Sequence, residues 1–144
     1  MTQLEVKNNK TYLGGLLFDD LTAKYRTPLY LYDPGMNHLL RPKLYNAHHE
    51  LTNISYPQGI ERIYSVLGDI CESDTMSPDR KLNEVNEGDL IAFHNVGAYG
   101  MSMASNYNSR FRPAEAMLYK VQDYLIGKRE VMKDITRNMT AIDL

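Results

Sequence analysis

Tryptophan is absent from the 144 residues, cysteine occurs once, and neither sign of charge dominates. Each shortage excludes something. The single cysteine, Cys71, closes no intramolecular disulfide and builds no multi-cysteine zinc site. Lys and Arg number 16 against 18 Asp and Glu, a net charge of −2. That balance argues against a nucleic-acid binder built on a basic face. No apolar run approaches the ~20 residues of a membrane helix. Met1-Thr2-Gln3-Leu4-Glu5 lacks the apolar core of a secretory signal. The expectation is a cytoplasmic protein with no membrane and no nucleic-acid partner. Tyrosine, in contrast, is plentiful, with 11 residues beside 3 Phe. Each brings apolar area and a hydroxyl that needs a partner. Hydrophobic residues make up 43% and charged ones 24%, which fits one domain around one core.

The chain reads as short strands punctuated by turns. Tyr12 to Leu17 is a short strand with a close approach or bulge at Gly14-Gly15. Phe18, Leu21 and Tyr25 fall on one helical stripe, led by Asp19 and Asp20 and stopped at Thr27-Pro28. Pro28 to Asp33 reads as a strand, and Pro34-Gly35 as a turn. Pro42 breaks any long element in Met36 to Tyr45. Asn46 to Ser55 and Glu61 to Ile70 read as strands around a Pro57-Gln58-Gly59 turn, with Ile63, Val66 and Leu67 in the core. Asp69 to Asn83 reads as polar and irregular, and Leu90 to His94 as a buried strand after an Asn86–Asp89 turn. Gly97 to Arg112 is a structured loop or short helix. Ala114 to Tyr119 and Gln122 to Ile126 pair around Lys120-Val121, and Arg129 to Met139 forms a closing helix. The sum is an all-β fold, a Greek-key-like barrel or sandwich with a few short helices.

Three segments carry more polar chemistry than a core needs. In Arg41-Pro42-Lys43-Leu44-Tyr45, the planar Arg41 fork suits a carboxylate or phosphate, and Tyr45 shares the ligand if the segment coils. On composition alone a surface arginine is the favoured reading. In Cys71-Glu72-Ser73-Asp74, the neighbouring carboxylate disfavours a thiolate. The thiol is then a proton donor or, more commonly, a small buried hydrophobe. In Gly97-Ala98-Tyr99-Gly100 and the following Ser105 to Arg110, hydroxyl and amide donors could hold a phosphate. The spacing matches neither the dinucleotide fingerprint nor the P-loop. His48-His49-Glu50 on a strand would converge only two metal ligands, so no metal site is expected. The Asn-x-Thr/Ser triplets at Asn9, Asn53 and Asn138 read as chance matches to a glycosylation pattern.

Together the stretches Met36 to Tyr45, Gly68 to Asp74 and Gly97 to Arg110 resemble the carboxyl-terminal domain of the diaminopimelate decarboxylases. Arg112-Pro113-Ala114-Glu115 and Arg129-Glu130 extend the match, while Phe111 stands where the family carries proline. Tyr12-Leu13-Gly14-Gly15 and Thr27 to Asp33 resemble that family's opening segment. The family is built on fold-type III, with an (α/β)8 barrel between those two parts. Here Asp33 runs directly into Pro34. The resemblance therefore implies one β-domain, residues 1–33 joined to 34–144, without the barrel that carries the pyridoxal-phosphate lysine.

The same resemblance implies roles. Arg41 and Tyr45 bind a substrate carboxylate. Cys71 is the general acid that returns a proton after CO2 leaves, and Glu72 contacts the distal amino group. Tyr99 donates to the cofactor phosphate. Cys71 and Glu72 act across a dimer interface, so a homodimer is expected. The parent reaction is decarboxylation of meso-diaminopimelate to L-lysine, with pyridoxal phosphate as the electron sink. The chain alone is expected to be inactive and to bind no cofactor covalently. A dimerisation module, a weak binder of an amino-acid ligand and a ligand-free scaffold are the alternatives.

Overall fold

The computed structural model describes residues 4–25, 38–70 and 75–142. Strands β1 (Leu4–Lys7), β2 (Lys10–Leu13) and β3 (Leu16–Leu17) form an antiparallel three-stranded sheet. Both connections are two-residue turns in left-handed backbone, Asn8-Asn9 at φ 51° and 59° and Gly14-Gly15 at φ 58° and 83°. Paired positive φ matches the twist of the flanking strands. The glycines therefore reverse the chain rather than sit inside one strand over 12–17, which corrects the expected strand, while the expected close approach is met at Gly15. Helix α1 (Phe18–Tyr25) forms where its stripe places it. Asp19 and Asp20 in the first turn and Lys24 in the last complement the helix dipole. Phe18 and Leu21 are buried. The strand expected over Pro28 to Asp33 lies outside the described residues.

The middle of the chain holds the largest core. Helix α2 (Arg41–Tyr45) keeps Pro42 in its first turn, where no intrahelical N–H is required, so proline opens a helix of only five residues and no long element forms among the described residues 38–45. Asn46 closes it in the left-handed conformation at φ 52°. Strand β4 (Leu51–Asn53) pairs with β7 (Ile91–Phe93), and β5 (Glu61–Leu67) with β6 (Thr75–Asn83), both antiparallel. Strand β6 corrects the irregular reading of 69–83. Leu39, Leu51, Met76, Leu82, Phe93 and Val96 pack into one cluster, with Tyr64 and Val66 against it. On β5 the alternation therefore turns Tyr64 and Val66 inward. Ile63 and Leu67, expected in the core, are 73% and 61% exposed.

Helix α3 (Ala98–Met103), a 3-10 turn (Tyr107–Ser109), the hairpin β8 (Glu115–Tyr119) and β9 (Gln122–Gly127), and helix α4 (Met132–Thr136) complete the chain. The hairpin turns at Lys120-Val121, both at positive φ, where the sequence pattern places the reversal. The expected closing helix is shorter than 129–139. The architecture is mostly β. Among the described residues the strands divide into four antiparallel sheets, none of them closed on itself. No helix there is long and apolar enough to cross a membrane.

Residues 4–25 pack against both the β4–β7 region and the start of the β8–β9 hairpin. Phe18 clusters with Ile54 and Ala92, and Leu21 with Ala114. Thr11 Oγ1 donates to the Ile54 carbonyl at 2.8 Å, which gives the Asn9 triplet a structural role. A methyl group at Gly15 would come within 3.1 Å of Val121 Cγ1, so the two turns interlock.

Asp123 of β9 accepts from Lys24 Nζ at 2.5 Å and from the Tyr25 hydroxyl. The Lys24 bond, and then the Tyr25 bond, hold the Asp123 carboxyl below the usual carboxylate range. The same contacts let Lys24 and Tyr25 keep their protons to higher pH than usual. The signs come from linkage. The Asp123 contribution is complete above about pH 4 and is lost as pH falls through the lowered native value. Asp123→Asn should therefore flatten the acid limb of a stability–pH profile, measured by denaturant midpoints. A limb of unchanged steepness would count against this account.

Candidate functional site

Two short helices build the site. Leu39, 1% exposed, anchors the approach to α2 in the main core, and Pro42 is buried behind it. Arg41 and Tyr45, four residues apart, then fall on one outward face. Strand β7 delivers the other wall. Buried Val96 leads to Gly97 at φ 61°, and α3 starts there. Gly100 is buried, and Ala104, 4% exposed, closes the helix on Gly100 and Met101. That sets Tyr99 and Met103, again four apart, on the open side.

Arg41, Tyr45, Tyr99 and Met103 line a pocket of about 250 Å³. The Arg41 guanidinium carbon lies 5.0 Å from the centre of the Tyr99 ring, a cation–π contact. Tyr45 and Tyr99 are 63% and 61% exposed, so both hydroxyl-bearing rings are accessible. Arg41 Nε is buried and has no hydrogen-bond partner among the described residues. A buried donor left unpaired is costly. Among the described residues no carboxylate lines the pocket to compete for the cation.

The structure thus brings together three residues singled out in the sequence, Arg41, Tyr45 and Tyr99. Cys71 and Glu72 lie outside the described residues. Met103 is an addition that sequence reasoning missed, although its place one turn after Tyr99 on a short helix is a usable signal. The segment 105–112 is tied down beside the site. Glu130 accepts from the Arg112 amide at 2.8 Å and from Asn106 Nδ2 at 2.6 Å, while Arg112 Nε donates to the Ala104 carbonyl at 2.9 Å. Asn108 Nδ2 donates to the Ile70 carbonyl at 3.0 Å, and Arg110 pairs with Asp69. Phe111 keeps its backbone carbonyl 3.0 Å from His38 Nε2.

Elsewhere His49 and His94 are structural. His49 is buried and donates from Nδ1 to the His94 carbonyl at 3.0 Å, while His94 Nε2 meets Thr52 Oγ1 at 2.9 Å. Among the described residues no three His, Cys, Asp or Glu side chains converge as metal ligands.

The pyridoxal-dependent decarboxylase C-terminal sheet domain is matched over residues 5–97. The chain belongs to that family. Its relatives include the diaminopimelate decarboxylases of Methanocaldococcus jannaschii, 42% identical over 104 residues, and of Helicobacter pylori, 46% identical over 107. These alignments cover 72% and 73% of this chain but 24% and 26% of the relatives. The chain thus spans about a quarter of the length of the curated relatives it matches. The solved M. jannaschii enzyme superposes with a TM-score of 0.71 at 30% identity, covering 98% of this chain and 29% of that one. The H. pylori enzyme complexed with L-lysine gives 0.66 at 38% identity, covering 94% and 30%.

The family's cofactor is pyridoxal phosphate. The pocket lining holds an arginine and two tyrosines suited to an anionic group. Among the described residues it holds no lysine for an imine link and no carboxylate for a ring nitrogen. These residues suit one oxyanion and do not fit the whole cofactor.

Proposed function

We propose that this chain is the recognition wall of a diaminopimelate decarboxylase, separated from the barrel that performs the chemistry. Arg41 and Tyr45 take a substrate carboxylate and Tyr99 contacts a phosphate. The carrying observation is the Arg41 guanidinium set over the Tyr99 ring beside Tyr45, at an accessible pocket with no carboxylate among its described lining residues. Cys71 and Glu72 are assigned as proton donor and amine contact on family resemblance alone. In this reading 1–33 and 34–144 form one cytoplasmic domain, and the four sheets are parts of one barrel-like body. The Phe18, Leu21 and Asp123 contacts support that unity.

Half a site binds weakly, because contacts and preorganisation are both lost. A backbone NMR titration with meso-diaminopimelate should move Arg41, Tyr45 and Tyr99 with a Kd no tighter than roughly millimolar, about −4 kcal/mol. Arg41→Gln should abolish the shifts. A dispersed spectrum that does not move would leave a scaffold. Lysine formed from diaminopimelate with added pyridoxal phosphate, above a no-protein control, would overturn the inactive reading.

Self-association is the second reading. Met117, Tyr119 and Tyr124 share one face of the β8–β9 hairpin and are 45%, 56% and 41% exposed. Apolar area of that kind favours burial against another surface. The expected outcome is a dimer by sedimentation, and a monomeric mass at every concentration would exclude it.

A further inference from the structure

We propose that the cleft between α2 and β6 is a second anion site, one that takes a phosphate group. The cleft is about 260 Å³ and is lined by Pro42, Lys43, Asn46, Thr75, Pro78 and Arg80 among others. Two cations face it, an amide and a hydroxyl accompany them, and among the described residues no carboxylate lines it. It is separate from the Arg41 pocket and shares none of that pocket's lining residues.

The decisive feature is how Arg80 is held. Residues three apart on a regular strand point to opposite faces. Here β6 pairs Arg80 with Tyr64 and Ser77 with Val66, so Pro78 and Asp79 together oppose Ser65. Asp79 takes φ 50° and its amide donates to Ser65 Oγ at 3.3 Å. This bulge brings Ser77 and Arg80 to the same side. Arg80 Nε then donates to Ser77 Oγ at 2.9 Å, and Ser77 is 1% exposed. The guanidinium is thus fixed by a buried hydroxyl through Nε, and its terminal Nη fork makes no other bond among the described residues. A preoriented fork recognises the paired oxygens of a phosphate. Lys43 adds a point charge from the facing helix. Pro42 and Pro78 stiffen the two walls that carry these groups.

The test is a backbone NMR titration of this chain with inorganic phosphate at constant ionic strength, with chloride as the control and glycerol phosphate as a second arm. Saturable shifts are expected at Asn46, Thr75 and Arg80, with a Kd of roughly millimolar. Lys43→Gln, an exposed change, should weaken binding about five-fold, and Arg80→Gln roughly ten-fold. Arg80→Lys should fall between wild type and Arg80→Gln, because it keeps charge without the fork. Tighter binding of glycerol phosphate points to a phosphate monoester, and the reverse order to free phosphate. Shifts that saturate at Tyr99 and Met103 instead would place the anion in the Arg41 pocket and overturn the proposal. Equal shifts with chloride, or an unchanged Kd in Lys43→Gln and Arg80→Gln, would overturn it as well.

Discussion

Asn53→Asp should destabilise the protein by about 3–5 kcal/mol near pH 7, a large share of the roughly 5–15 kcal/mol that holds a domain of this size. Asn53 is 1% exposed, and its amide is fully engaged. Nδ2 donates to the Glu84 carbonyl at 2.9 Å and to Asp89 Oδ2 at 3.1 Å. Oδ1 accepts from the Ser55 and Tyr56 amides at 3.0 and 3.1 Å. One side chain thereby closes the turn after β4 and clamps it to the turn before β7. Aspartate keeps the acceptor half and turns the donor half into a second charge facing a carbonyl and a carboxylate. Denaturant midpoints should show the deficit shrinking toward about pH 4, as the new carboxyl takes up a proton in the native state. If the variant fails to fold, Asn53→Asp with Asp89→Asn is the decisive comparison. It removes the facing pair of carboxylates and should recover about 1 kcal/mol, a gain held down because Asp89 Oδ2 also accepts from the Asn86 amide at 2.8 Å. A single variant as stable as the wild type would mean the network contributes nothing.

That network is hidden in the sequence for a physical reason. Asn53 shows there only as part of a glycosylation-like triplet, because its partners arrive from a loop thirty and more residues away in sequence. Local signals fare better. The Phe18–Leu21–Tyr25 stripe locates α1, and Gln122 to Ile126 pairs as expected across Lys120-Val121. Strand β6 is unreadable because the bulge at Pro78-Asp79 shifts its alternation. Met76 and Ser77 are both buried before the bulge, and Leu82 resumes after it. The inversion of β5 has a different origin. Ile63, Tyr64, Val66 and Leu67 supply apolar side chains to both faces, so composition cannot decide which face meets the core.

The site divides in the same way. Arg41 and Tyr45 lie one helical turn apart, so their common face is legible once the segment coils. Tyr99 reaches them from another element, and no spacing rule brings α3 to α2. Only the family resemblance places the three together. The orphaned Arg41 Nε is a property of packing and is invisible in the sequence.

Glu130→Ala should cost about 2–4 kcal/mol and loosen the segment that flanks this site. Among the described residues the Glu130 carboxylate is the acceptor for the Arg112 amide and one of two for Asn106 Nδ2. It also pairs with Arg112 Nη1 at 3.3 Å. Removing it strands the Arg112 amide and leaves a half-buried guanidinium with the Ala104 carbonyl at Nε. Hydrogen exchange should rise across 105–112. It should rise too at Asp69 and Ile70, which Arg110 and Asn108 of the same segment hold. Glu130→Gln, which keeps acceptor oxygen but loses the ion pair, should fall between the two. Exchange near Asn53 should not change, because no bond in the Glu130 network reaches β4, and the two losses should add within about 0.5 kcal/mol. Faster exchange confined to the immediate neighbours of Glu130 would mean that 105–112 is held by its own turns. Propagation to Ile70 would show that a carboxylate after β9 sets the rigidity of the chain leading into Cys71.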